Sequence, residues 1–139
     1  MITRGKLARR AGVNIETIRY YEQRGLIPEP PRTTSGYRQY TEDYVERIRF
    51  IKRAQELGFT LSEIKELLSL RVDPETDRGE VKQRAAAKIV DIEKKISDLE
   101  RMKHQLKRLV TSCSGRGPTS ECPILEAIES DESFHAVAN

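Results

Sequence analysis

The sequence predicts a mainly α-helical protein. A winged helix-turn-helix domain comes first, then one long coiled-coil helix and a short loop holding the only two cysteines. Three observations carry this. Residues 1–70 break into short amphipathic segments punctuated by N-cap residues and glycines. Residues 77–111 contain no proline and place apolar residues three and four apart. The composition is lean in core formers, with 37% hydrophobic and 34% charged residues and no Trp, as in an elongated helical chain rather than a thick globule.

The first helix is expected over Thr3 to Gly12, with Leu7, Ala8 and Ala11 inward. Gly12-Val13 makes a tight turn, and Asn14 caps a second helix with its side-chain oxygen. Ile15, Ile18 and Tyr21 share one face of that helix, and Gly25 ends it. Thr17, Arg19, Tyr20 and Gln23 lie mostly off that face, and such side chains suit phosphates and base edges. Two short helices about a glycine turn form a helix-turn-helix, whose second helix enters the major groove of DNA.

Three prolines in four residues, at 28, 30 and 31, forbid helix in the next stretch. Ser35-Gly36 reads as a turn and Tyr37 to Tyr40 as a short strand, making 32–40 a hairpin wing. Arg32, Tyr37 and Arg38 would then face DNA backbone or minor groove; the alternative is a plain polar connector. Thr41 caps a third helix reaching Leu57, with Tyr44, Ile48, Ile51, Ala54 and Leu57 near one face. Gly58 ends it. Thr60 and Glu63 form a capping box that opens a fourth helix, with Ile64, Leu67, Leu68 and Leu70 as its apolar residues.

A linker over 71–76 follows, and Asp77 caps the long helix, with Glu80 at the capping-box position. Ile89, Ile92, Ile96, Leu99, Leu106 and Val110 mark a coiled-coil seam in which Lys103 takes one position. Met102 and Leu109 fill beside it. At about 1.5 Å per residue this helix spans roughly 50 Å. A stripe of that length needs a partner helix, and a second copy of the chain is the expected one; packing on its own N-terminal domain is the alternative. The expected divisions are a DNA-binding domain at 1–70, the linker at 71–76, the dimerisation helix at 77–111, a cysteine-containing loop and short helix at 112–128, and a tail at 129–139.

Charge agrees with this division. Residues 1–60 hold 12 Lys and Arg against 7 Asp and Glu, a net of +5, while the remainder nets −2. A basic N-terminal part suits a nucleic-acid partner. No apolar run approaches 18 residues and no signal-peptide pattern appears, so a cytoplasmic protein with no membrane partner is expected. There is no Ser/His/Asp set, phosphate-binding loop or carboxylate cluster, so no enzyme is expected.

Cys113 and Cys122 are separated by eight residues that include Gly115, Gly117 and Pro118. Such a loop can fold back and bring two thiolates together, and thiolates favour soft ions such as Cu(I), Hg(II) and Zn(II). Two sulfurs suffice for linear Cu(I) or Hg(II), whereas tetrahedral zinc wants four ligands. Met102, His104 and His135 are the other soft donors. The spacing alone is equally compatible with two inert thiols, or with a pair that senses oxidants or electrophiles.

Four stretches resemble the MerR family of bacterial transcription regulators: LARRAGV at 7–13, TIRYYEQRGLI at 17–27, R-x-x-SGYRQY at 32–40 and FIKRAQELGFTLSEIKELL at 50–68. The long helix and Cys-x8-Cys-Pro-Ile resemble the family's thiophilic-metal branch, so the likeness extends over residues 1–128. It implies a homodimer joined by an antiparallel coiled coil. The dimer would bind promoter DNA with an overlong spacer and, with inducer, distort it so that RNA polymerase engages. It also implies that Arg19, Tyr20, Arg32, Tyr37 and Arg38 hold DNA and that Cys113 and Cys122 hold metal.

One departure concerns the inducer. Mercury, zinc, cadmium and lead sensors of this family carry a third cysteine at the start of the long helix, where Arg78 stands here. Copper and gold sensors have a serine there and a loop one residue shorter. This chain has the mercury-type loop and neither first-helix residue. Arg78 either offsets surplus thiolate charge or is a solvated helix-start residue. Two sulfurs without a third donor point to Cu(I), Ag(I) or Au(I), or to Hg(II), as the ion bound; no organic cofactor is expected.

Overall fold

The computed structural model describes residues 1–30 and 38–130. It is mainly helical and divides into two units, 1–88 and 89–139. Among the described residues no helix is long and apolar enough to cross a membrane.

The first unit is built on four helices: α1 (Arg4–Ala11), α2 (Ile15–Gln23), α3 (Glu42–Glu56) and α4 (Leu61–Val72). Their ends follow the expected chemistry. The Thr3 side chain accepts from Lys6 N, and Gly12 closes α1 at φ 73°, a left-handed conformation that glycine adopts without strain. Asn14 Oδ1 accepts from Thr17 N at 2.8 Å. Thr60 and Glu63 complete the capping box of α4 in both directions. Thr41 differs: it occupies the N-cap position of α3, but its hydroxyl donates to Asp43 Oδ1 rather than capping a backbone amide.

Among the described residues, fourteen side chains fill one core, Leu7, Ile18, Ile48, Ile51 and Ile64 among them with no exposure at all. Two expected inward residues stand outside it. Ile15 is exposed because it is the first residue of α2, before the helix turns its apolar face inward. Leu57 is 65% exposed because the chain has already left the helix there, with ψ near 0°, and Phe59 packs on the core instead. Leu26, Ile27 and Tyr40 are fully buried.

Of the expected strand over 37–40, Tyr37 lies outside the described residues, and Arg38 and Tyr40 are bridge positions. Tyr40 makes an isolated antiparallel bridge with Ile2, two backbone hydrogen bonds of 2.8 Å. The turn at Ser35-Gly36 lies outside the described residues.

α5 (Arg78–Ser112) opens with Asp77, whose Oδ1 accepts from Gly79 N at 3.0 Å. Its first turns carry two ion pairs to α4. Arg84 meets Glu66, and Lys88 Nζ meets Glu63 Oε1 at 2.8 Å with the Phe59 ring beneath the ammonium. The Lys88 bond and the backbone amide of Thr60 pull the Glu63 carboxyl down to about 2.

The second unit holds the rest of α5, a single 3-10 turn at Thr119–Glu121 and α6 (Pro123–Glu129). Within it Gln105 and Leu109 are buried. The six seam residues, Ile89, Ile92, Ile96, Leu99, Leu106 and Val110, are 38–64% exposed in the single chain.

Candidate nucleic-acid interface and thiol loop

α2 presents one face to the core through Ile18 and Tyr21, and Tyr21 OH donates to Gln55 Oε1 at 2.6 Å. That fixes the helix's rotation, and the opposite face is left to solvent. There stand Arg19 and Tyr20, both exposed. Arg19 pairs with Glu16 at 2.7 Å, and the Arg24 guanidinium lies 5.9 Å from the Tyr20 ring centre. An exposed pair of this kind is worth little in water, so Arg19 can exchange it for a phosphate at small cost. Thr17 is half-buried, its hydroxyl bonded to Asn14 Oδ1 at 2.8 Å.

The turn between α1 and α2 is braced by cations from α3. Arg49 donates to Arg10 O at 2.7 Å and Lys52 to Gly12 O at 2.9 Å. These carbonyls end α1, so the basic side chains complement its C-terminus. They also tie the end of α1 to α3.

Of the expected wing residues, Arg32 and Tyr37 lie outside the described residues. Arg38 does not stand free. Its guanidinium is divided between Glu22 Oε2 at 3.0 Å and Glu29 Oε1 at 2.8 Å. Glu22 is the residue that sequence reasoning missed. Its side chain is 4% exposed and accepts from Arg4, Arg38 and Tyr40. Burial, then the hydrogen bond to Glu22, pushes the Tyr40 phenol up to about 12.

The thiols are both unpaired and half-buried. Cys113 follows the last turn of α5, and its Sγ accepts from Gly115 N at 3.4 Å. Cys122 precedes Pro123 and opens α6. Gly115 and Gly117 between them both have positive φ, at 78° and 107°. Only glycine takes such a pair of left-handed positions cheaply, so this turn is written into the sequence. Among the described residues no three His, Cys, Asp or Glu groups gather where they could share an ion.

An exposed Arg- and Tyr-bearing second helix, braced against a buried core, defines a helix-turn-helix DNA-binding protein. The chain belongs to the MerR family of transcription regulators: residues 2–70 match the family described as MerR HTH family regulatory protein, and 45–109 match MerR, DNA binding. It is 50% identical over 129 residues to the mercuric resistance operon regulatory protein of Bacillus cereus, covering 89% of this chain and 94% of that one. In structure it is similar to the regulator PbrR691 of Ralstonia metallidurans, solved with lead(II). That match has a TM-score of 0.81 and 37% identity, over 92% of this chain and 99% of the other. It is also similar to MerR of Bacillus megaterium, solved with mercury(II), at a TM-score of 0.69 and 41% identity over 93% and 100%. The protein is a DNA-binding transcription regulator and not an enzyme.

Proposed function

We propose that this regulator is metal-responsive and works as a homodimer on promoter DNA. Two copies cover each other's α5 stripe as an antiparallel coiled coil. Arg19 and Tyr20 of each α2 enter the major groove, with Thr17, Arg32, Tyr37 and Arg38 contributing to the DNA-facing surface. A thiophilic ion held by Cys113 and Cys122 shifts the dimer so that it distorts the promoter and RNA polymerase engages. The observation that carries the inducer reading is the pair of free, half-buried thiols flanking a turn built on Gly115 and Gly117. Relatives named for mercuric resistance support the same reading.

The ion is one content with two sulfurs: Hg(II), or monovalent Cu(I), Ag(I) or Au(I). The Cys-x8-Cys spacing favours Hg(II), and Arg78 in place of a third cysteine favours a monovalent ion. Thiolates bind in their deprotonated form, and the bound cation drives that deprotonation.

The test is promoter transcription against metal concentration, buffered by excess small thiol. It compares wild type with Cys113→Ser, Cys122→Ser, the double variant and Arg78→Cys. Each serine is expected to abolish induction, and Arg78→Cys to gain response to divalent ions. Normal induction in the double serine variant would end the metal-loop reading.

A further inference from the structure

We propose that Glu22 is a positioning residue for DNA binding, and that Arg38 serves the DNA surface by placement rather than by contact with a phosphate. The proposal rests on the DNA-binding reading of α2. Glu22 lies on α2, three residues from Arg19, yet its carboxylate faces inward and is almost wholly buried. Both its oxygens are used. Oε2 takes Arg4 Nη2 at 3.3 Å and Arg38 Nη1 at 3.0 Å, and Oε1 takes Tyr40 OH at 2.5 Å. Arg4 Nε donates back to Tyr40 OH at 3.0 Å. One carboxylate thus joins the start of α1, the body of α2 and the chain at 38–40.

The same network reaches Glu29. Because Arg38 Nη2 meets Glu29 Oε1, residues 29 and 38 are tied to each other and, through Glu22, to α2. The two ends of the segment carrying Arg32 and Tyr37 are therefore set by α2 itself. Two arginines face two glutamates here, so the cluster is neutral. A guanidinium already spent on two carboxylates releases few counterions when DNA arrives. Breaking a buried ion cluster by removing one member leaves the others unpaired, a large local penalty.

A simple charge argument gives the opposite sign. If Glu22 were only a negative charge near DNA, removing it would tighten binding. If it positions the surface, removing it weakens binding. The experiment is operator binding by the full-length protein across a salt series. It compares wild type with Glu22→Gln, Arg38→Gln, Tyr40→Phe and Arg19→Ala, each checked for helix content and dimer mass.

Glu22→Gln and Arg38→Gln are expected to weaken binding roughly tenfold. Both should keep the wild-type slope of log K against log salt. Arg19→Ala should lower that slope by about one. Tyr40→Phe removes one bond to Glu22 and should fall between wild type and Glu22→Gln. Should Glu22→Gln fail to fold, Arg38→Gln and Tyr40→Phe carry the test, because each leaves Glu22 two of its partners. Binding by Glu22→Gln as tight as wild type or tighter overturns the proposal, and so does an Arg38→Gln slope lowered by one. If Arg19→Ala also binds like wild type at every salt concentration, the DNA-facing role of α2 fails instead.

Discussion

The two units satisfy their side chains in opposite ways. In residues 1–88 the apolar residues of four short helices meet one another, and even a carboxylate such as Glu22 is buried with partners on every side. In residues 89–130 the large apolar residues of one long helix, Leu109 apart, meet water. Six large aliphatic side chains, from Ile89 to Val110, stand 38–64% exposed along a single stripe. Monomeric proteins rarely leave so long an apolar face uncovered. The first unit is complete within one chain, and the second reads as half of an interface. The same α5 serves both: its first turns are pinned to α4 by the Arg84 and Lys88 ion pairs, and its later turns carry the stripe.

This contrast can be broken from either side. The largest effect is expected for Ile96→Lys, which would bury an ammonium in the seam at a cost of several kcal/mol. The variant should sediment as a monomer and lose operator binding, because paired half-sites need linked domains. An unchanged dimer would mean that the seam is wrongly assigned. Next is Ile48→Ala, a truncation at a fully buried site. It should cost about 2–5 kcal/mol of unfolding free energy. Denaturant melts should show that loss at every protein concentration, whereas the loss in Ile96→Lys should depend on concentration.

A smaller effect belongs to the joint between α4 and α5. The Glu63 carboxyl, held at about 2 by Lys88, lies below its usual 4.5. Its contribution is therefore present above about pH 4.5 and is lost as pH falls toward 2. Glu63→Gln keeps a capping-box side chain but cannot titrate. Wild type should lose more stability than this variant between pH 7 and pH 3. Glu63 is 38% exposed, so solvent screening should hold the difference under about 1 kcal/mol. Equal acid melts for the two proteins would remove the Lys88 pair from the account. Smallest of all on stability are Cys113→Ser and Cys122→Ser, both at half-buried positions and expected within about 0.5 kcal/mol of wild type. Thermal melts check this, and a large loss would make the thiols structural.

The helices were legible because their signals are local. Thr3, Asn14, Thr60 and Asp77 cap helices within three residues of themselves, and the glycines at 12, 25 and 58 mark turns that each require a positive φ. The exposed Arg19 and Tyr20 followed from the same periodicity. Long-range pairings were not legible. Nothing near Tyr40 announces that its backbone pairs with Ile2, or that its phenol reaches Glu22 eighteen positions away. Helical periodicity gave no reason to bury Glu22, and the arginine partners that hold it inward lie at positions 4 and 38. The ion pairs of Arg38 were not legible for the same reason, since its carboxylates come from two other segments. The stripe of α5 was legible as a pattern because its period is local.

The most direct test of the contrast between the two units is the mass of the wild-type protein in solution. Sedimentation equilibrium at low micromolar concentration, in reducing buffer without metal, is predicted to give a single species of twice the 16.0 kDa chain. A 16.0 kDa monomer indistinguishable from Ile96→Lys would contradict it, and the α5 stripe would then need another explanation.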